Sequence, residues 1–248
     1  MGRIVLITGS NRGIDKAILE RFAEENDITL LAHARKSSPE FDSFLDSVRS
    51  VTGNSVIPVY FDLSDIDCMK LEISKLLKSS RTIDVLVNNA GVVFPNSSFL
   101  MTDIKTIRNS FEVNFFAPVV LCQLIAKAMI KKRSGLIINM ASIAAKDVSA
   151  GQFEYVTAKA AMVVMTKKLA MELAPFGIRC NAVSPGLTDT DMIGNMNDGL
   201  REDFIKHISM KRLASPLEIA NVVYFLCSEQ ASYINGQNIS VDGGLGVI

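Results

Sequence analysis

The strongest constraint on this chain is an alternation. Short β-branched runs trade places with longer segments of helical period along nearly all of its 248 residues. Strands are expected at Arg3–Thr8, Ile28–His33, Val56–Phe61, Ile83–Val87, Leu136–Met140, Ile178–Ser184 and Gln237–Val241. Most of these are almost continuously apolar, as strands buried on both faces of a parallel sheet must be. Segments of 3.6-residue period predict helices at Ile14–Glu24, Phe41–Val51, Ile66–Lys78, Ile104–Lys131, Ala158–Leu173 and Pro216–Cys227. Such an alternation calls for right-handed crossovers, with helices on both faces of one sheet. The expected fold is α/β, a Rossmann-type doubly wound three-layer sandwich with a central parallel sheet of about seven strands. No internal repeat, low-complexity tract or Pro/Gly-rich linker interrupts it, so residues 1–248 are expected to form one domain.

One segment breaks the rhythm. Between the strand ending at Ser184 and the helix starting near Pro216, strand character disappears. Pro185-Gly186, Gly194, Asn195, Asn197, Asp198 and Gly199 fall here, followed by a short helix expected at Arg201–Ile208. Long excursions inside a domain are usually lids or disordered segments. This one follows a strand's carboxyl end, where open parallel sheets bind ligands, so it is expected to be a substrate lid at about 186–212.

Composition removes several alternatives. The 26 basic and 26 acidic side chains cancel, so there is no basic excess of the kind that drives nucleic-acid binding. Cys68, Cys122, Cys180 and Cys227 lie far apart and form no Cys-x-x-Cys pair. They are expected to be reduced, mostly core residues, with neither a disulfide framework nor a metal site. The apolar run Ile4–Ile7 is too short for a signal-peptide core. Phe115–Ile130, the richest apolar stretch, is broken by Gln123 and Lys127, so no membrane span is expected. A cytoplasmic protein is the expectation.

The first strand runs into Thr8-Gly9-Ser10-Asn11-Arg12-Gly13-Ile14-Asp15 and then a helix. Strand, glycine turn and helix start bring backbone N–H groups and the positive end of a helix dipole to one point, which suits a phosphate. No Gly-Lys-Ser/Thr follows, so this is not a Walker turn; its context favours a dinucleotide. An NAD site needs an acid near the end of the second strand to accept from the ribose 2′-OH. Here Ala32-His33-Ala34-Arg35-Lys36 offers none, and Arg35 with Arg12 can instead embrace a 2′-phosphate. NADP (NADPH) is therefore the expected cofactor. His33 reads as a strand-end residue rather than a catalyst.

Tyr155-Val156-Thr157-Ala158-Lys159 puts a phenol and an ammonium at i and i+4, on one face of a helix. A phenol must lose about three units from its reference pKa near ~10 to trade protons at neutral pH, about 4 kcal/mol. An ammonium about 4 Å away at an effective dielectric near ~20 supplies roughly that much. Lys159 is thus expected to tune Tyr155 as a general acid–base. A surface Tyr/Lys pair is the ordinary alternative, and context must decide between them.

Taken together, these segments resemble the short-chain dehydrogenase/reductase family. Thr-Gly-x-x-x-Gly-x-Gly is that family's cofactor turn, matched here except at Asp15, which stands where the third glycine belongs. Two readings of Asp15 are open. It can satisfy the helix dipole while pointing away toward Arg12 or Lys16, the favoured one, or it can weaken cofactor binding by charge repulsion. Asn88-Asn89-Ala90-Gly91, Asn114, Ser142, Tyr155 and Lys159 match the family's Asn-Asn-Ala-Gly segment and its Asn/Ser/Tyr/Lys tetrad. The resemblance implies that Ser142 holds a substrate carbonyl oxygen and Tyr155 protonates it. It also implies that Lys159 binds the nicotinamide ribose and lowers the Tyr155 pKa, while Asn114 anchors a water in the proton relay. Cofactor contacts carry over to the turn Gly9–Ile14, to Asp62-Leu63, to Asn89-Ala90-Gly91, and to Pro185-Gly186-Leu187-Thr188.

Within the family the chain is similar to bacterial 3-oxoacyl-acyl-carrier-protein reductases of fatty acid biosynthesis. The similarity lies at Gly151-Gln152, at Pro175–Arg179 into Pro185-Gly186, and at Tyr233–Gln237 with Val241–Gly244. A thioester-carried 3-oxoacyl substrate follows by resemblance, with acyl carrier protein as a candidate partner. Lys131-Lys132-Arg133 and Lys206, Lys211 and Arg212 are candidate landing sites at or near the rim; dipole complements at helix ends explain them equally well. The resemblance also implies a homotetramer built on Phe115–Ile130, Val163–Leu173 and the last strand. Two alternatives stay open: a dehydrogenase of another small alcohol or ketone, and a weakly catalytic binding paralogue impaired at Asp15.

Overall fold

A computed structural model describes residues 2–79, 82–95, 98–146, 151–191 and 198–245. Seven parallel strands form one sheet: β1 Arg3–Ile7, β2 Ile28–Ala34, β3 Ser55–Tyr60, β4 Val85–Asn88, β5 Gly135–Met140, β6 Ile178–Pro185 and β7 Asn238–Val241. Their spatial order is β3-β2-β1-β4-β5-β6-β7. The order reverses between β1 and β4, and that reversal opens a crevice at the strands' carboxyl ends.

Among the described residues the α-helices are α1 Gly13–Ala23, α2 Pro39–Thr52, α3 Ile66–Lys78, α4 Ile104–Phe111, α5 Ala117–Lys132, α6 Phe153–Leu173, α7 Asp198–His207 and α8 Pro216–Leu226. The pleat of β1 shows why its run is apolar throughout. Val5 and Ile7 face a core made with α1, α2 and α8 through Ile18, Phe22, Leu45 and Val223. Ile4 and Leu6 face a second core made with α3, α5 and α6 through Ile73, Leu121, Ile125 and Leu173. Successive side chains of a strand point to opposite faces, so a sheet covered on both sides needs apolar residues at every position.

Most expected elements lie within a residue or two of those observed, with two differences that matter for the site. The helix carrying Tyr155 begins at Phe153, earlier than Ala158, so Tyr155 and Lys159 both lie inside it. The expected single helix from Ile104 is interrupted by a π-helical turn at Glu112–Phe116. Taken as one piece, Ile104–Lys132 is long and apolar enough by length and composition to cross a membrane. Here its face bearing Leu121, Cys122, Ile125 and Met129 forms core against the sheet. All four cysteines are free thiols, three of them buried.

Candidate active site

The crevice is built first by a hydroxyl. Thr8, buried at the end of β1, accepts from the amides of Asn89 at 3.0 Å and Ala90 at 3.1 Å and donates to the Val87 carbonyl. The glycine turn is thereby tied to the Asn-Ala-Gly loop after β4. From the other side His33, buried at the end of β2, reaches under the turn. Its Nδ1 accepts from the Gly9 amide at 3.1 Å, and its Nε2 meets the Phe61 carbonyl at 2.9 Å. Burial pulls its pKa down to about 4, so at neutral pH the ring is uncharged, with Nδ1 free to accept. This positioning residue was invisible in the sequence, where His33 is only a polar residue at a strand end.

The turn uses up its own first amides. Ser10 N–H donates to the His33 carbonyl and Asn11 N–H to the Gly9 carbonyl, while the Ser10 hydroxyl bonds back to Ile7. Gly9 sits at φ +82°, a left-handed conformation that favours glycine, and a side chain there would lie 3.0 Å from the Ala90 Cβ. What stays open is the start of α1. Its N-cap, Arg12, makes no side-chain cap bond, whereas Ser38, Asp65 and Asp103 cap α2, α3 and α4. An uncapped helix start with exposed N–H groups is what a phosphate requires. Arg12 and Arg35 are exposed near this turn, and neither is held in an ion pair among the described residues.

Beyond β2, Asp62 follows β3. Burial alone would raise its carboxyl, but the Ser64 amide and hydroxyl, with Arg35 nearby, hold it below the usual range. Leu63 beside it is buried. Across the sheet, Pro185 ends β6, the Gly186 amide donates to Val241, and buried Thr188 bonds the Gly186 carbonyl. The expected lid is described only outside 192–197, and those residues lie outside the described ones.

The tetrad residues converge at the ends of β4 and β5. Ser142, just past β5, accepts from the Ala144 amide at 3.2 Å and bonds the Tyr155 phenol. Burial raises the Tyr155 pKa, and the Ser142 hydroxyl opposes that rise, as a donor to the phenol oxygen does. The expected lowering by Lys159 is absent. The Lys159 Nζ donates to the Met140 carbonyl at 2.7 Å and lies 5.8 Å from the Tyr155 ring centre, with its charge shared by buried Asp15. Burial lowers the Lys159 pKa to about 8, with Asp15 resisting the fall. Asn114 is fully buried within the π turn. Its Nδ2 donates to the Val92 carbonyl at 2.9 Å and to Ser110 Oγ at 3.1 Å, while Oδ1 accepts from the Val92 amide. Both side-chain donors are therefore spent on the scaffold, and the amide can offer a water only an acceptor.

Two expectations fail here. The Asp15 carboxyl does not point outward: only 8% of the residue is exposed, and burial pushes its pKa well up against the pull of Lys159 and Arg12. The cause is non-local: Gly9, with no side chain, leaves the room on the inner side of the turn that the carboxyl fills, and the Lys159 charge attracts it. Lys131-Lys132-Arg133 is not at the rim either. Arg133 closes α5 immediately before β5 begins, and Lys132 pairs with Asp84 just before β4, which is the amino-terminal edge of the sheet. Of the second cluster, Arg212 is bound in bidentate fashion by Glu218, and Lys211 bonds the Lys206 carbonyl.

A family model described as enoyl-(acyl carrier protein) reductase matches residues 9–246. A 3-oxoacyl-[acyl-carrier-protein] reductase FabG of Chlamydia pneumoniae is 35% identical over 246 residues, covering 99% of this chain and 97% of the relative. The FabG of Aquifex aeolicus is 34% identical over 244 residues, covering 98% and 97%. A solved structure from Beutenbergia cavernae, of a protein assigned as an NAD(P)-dependent gluconate 5-dehydrogenase and holding NADP at low occupancy, superposes with a TM-score of 0.92. It is 30% identical and covers 100% of this chain and 98% of its own.

Proposed function

The chain belongs to the short-chain dehydrogenase/reductase family of oxidoreductases, and from that premise we propose that it reduces the 3-oxo group of a thioester-carried acyl chain with NADPH. The observation that carries the reading is the hydrogen-bonded Ser142–Tyr155 pair with buried Lys159 behind it, at the mouth of the β1/β4 crevice. The residues present fit a phosphorylated dinucleotide at every point but one. The uncapped start of α1 would hold its diphosphate, and Arg12 and Arg35 a 2′-phosphate. Asp62-Leu63 would take the adenine and Asn89-Ala90-Gly91 the adenosine ribose. Pro185, Gly186 and Thr188 would serve the nicotinamide end. Asp15 is the exception.

Bound NADPH supplies a hydride to the carbonyl carbon. The protein's part is positioning and proton supply. With substrate bound, the Ser142 hydroxyl turns its one proton from the Tyr155 phenol to the carbonyl oxygen and stabilises the charge that develops there. Tyr155, protonated at neutral pH because burial raises its pKa, is in the state that donates a proton to that oxygen. Lys159, held by the Met140 carbonyl behind Tyr155, would hold the nicotinamide ribose and keep a positive charge beside the phenol as its proton is replaced. Asn114 accepts from the relay water with the capacity its amide oxygen retains. Turnover of NADPH with an acetoacetyl thioester should fall about a thousandfold in Tyr155→Phe while NADPH binding is kept. Retained turnover would remove Tyr155 from this role, and equal rates on a panel of simple ketones would remove the thioester.

The continuous sheet supports reading the chain as one catalytic domain. Exposed Phe116 on the turn before α5, exposed Val164 and Met171 on α6, and the free edge of β7 support a homotetramer. A measured solution mass checks it.

A further inference from the structure

One group in the crevice is left over by the reading above. Asp15 is the third residue of α1, where the open N–H groups gather. Its Oδ1 is buried without a hydrogen-bond partner among the described residues, and its Oδ2 lies against the inner side of the turn, where a side chain on Gly9 would meet it at 2.5 Å. Three elements surround the carboxyl. The turn brings Arg12 and the bare Gly9, whose far side faces uncharged Ala90 of the loop after β4, and α6 brings Lys159, so Arg12 and Lys159 are the charges facing it. A buried carboxylate with an unsatisfied oxygen is costly by itself. A diphosphate drawn to the same helix start adds like charge beside it.

We propose that Asp15 is a neutral acid in the NADPH complex and donates its proton as a hydrogen bond to the diphosphate at the start of α1. The inference rests on the dinucleotide reading given above. The proton comes from solvent, and no covalent bond to the cofactor forms or breaks. Where a glycine would merely leave room, this residue makes cofactor affinity depend on pH. At any pH where free Asp15 is ionised, binding must draw in one proton, so affinity falls as pH rises, with a limiting slope of about tenfold per unit. Lys159, with a pKa of about 8, also weakens binding as it loses its charge, so the test must separate the two groups.

Asp15→Asn does so, because it keeps the shape and a donor, removes the acid and leaves Lys159 in place. NADPH binding to the full chain is measured by titration calorimetry from about pH 6 to about pH 9, in two buffers of different ionisation enthalpy. The expected result is a ratio of wild-type to Asp15→Asn dissociation constants that climbs toward about tenfold per pH unit, with proton uptake by the wild type approaching one. Asp15→Gly should show the same loss of pH dependence, which guards against a folding defect particular to the asparagine. A ratio constant across pH values at which the melting temperature, compared with Asp15→Asn, shows Asp15 of the free chain ionised, or equal proton uptake in wild type and variants there, would overturn the proposal and assign the proton to Lys159. A wild-type affinity that requires Mg2+, with the requirement gone in Asp15→Asn, would overturn it in favour of a bridging cation. If wild type and both variants all fail to bind NADPH at every pH, the dinucleotide reading itself falls.

Discussion

Helices α1 and α8 pack side by side on one face of the sheet, and each carries an acid as its third residue. The two acids meet opposite fates. Glu218 of α8 completes a capping box with Ser215 and takes both nitrogens of the Arg212 fork, so Arg212 first, and then the Ser215 amide, lower its pKa to about 2. Asp15 of α1 has no capping serine before it; it turns into the protein, and burial raises its pKa despite Lys159 and Arg12. The helix dipole favours negative charge at both places to a similar degree, so the dipole does not decide between them. The N-cap residue and the space beneath the turn do. A helix start that is chemically finished serves stability, and one left open serves a ligand.

That contrast can be attacked where it is weakest. The open turn of α1 takes its order from β2 through His33, so His33→Ala should have the largest effect, a loss of about 3 kcal/mol read by chemical denaturation. His33 ionises at about 4 in the folded chain against 6.5 unfolded, so it contributes stability above pH 6.5 that is lost as pH falls toward 4. His33→Ala should lack that acid-side loss. If the alanine variant is as stable as wild type, the turn does not depend on the imidazole.

Asp15→Asn should act in the other direction and more modestly, stabilising the free protein on the order of 1–3 kcal/mol once Asp15 is ionised. A carboxyl raised by folding binds its proton more tightly in the folded state. The wild type therefore loses stability as pH climbs from the unfolded value of 3.8 toward the folded one, and the asparagine variant does not. Melting temperatures measured against pH should diverge upward through this window; parallel curves would mean the carboxyl is not buried as described. The smallest effect belongs to Glu218→Gln. Glu218 contributes stability present above pH 4.5 and lost as pH falls toward about 2, so the variant should melt slightly below wild type at neutral pH and converge with it in acid.

The same contrast marks what could be read before the fold was known. The sheet was legible because a parallel strand covered on both faces must be apolar throughout, and Ile4–Ile7 or Val85–Val87 can be little else. The tetrad was legible only as a resemblance, since Ser142 just past β5 and Asn114, Tyr155 and Lys159 on helical segments keep the order and spacing of a known family. The direction of Asp15 was not, since it depends on Gly9 beside it and Lys159 far along the chain. The π turn around Asn114 escaped because a single extra residue in one helical turn leaves apolar periodicity almost unchanged. The place of Lys131–Arg133 was legible in principle: a helix end that runs directly into a strand lies at that strand's amino-terminal edge, away from the crevice.

Thr8 has a wider consequence than its size suggests. One hydroxyl accepts two amides of the Asn-Ala-Gly loop and donates to the strand beside it, so the opposing walls of the cleft are mechanically a single part. Neither wall can drift without dragging the other. A guest that docks on one therefore finds its counterpart already at the correct separation, and the entropy of assembling the pocket is settled when the chain folds instead of being charged against each encounter.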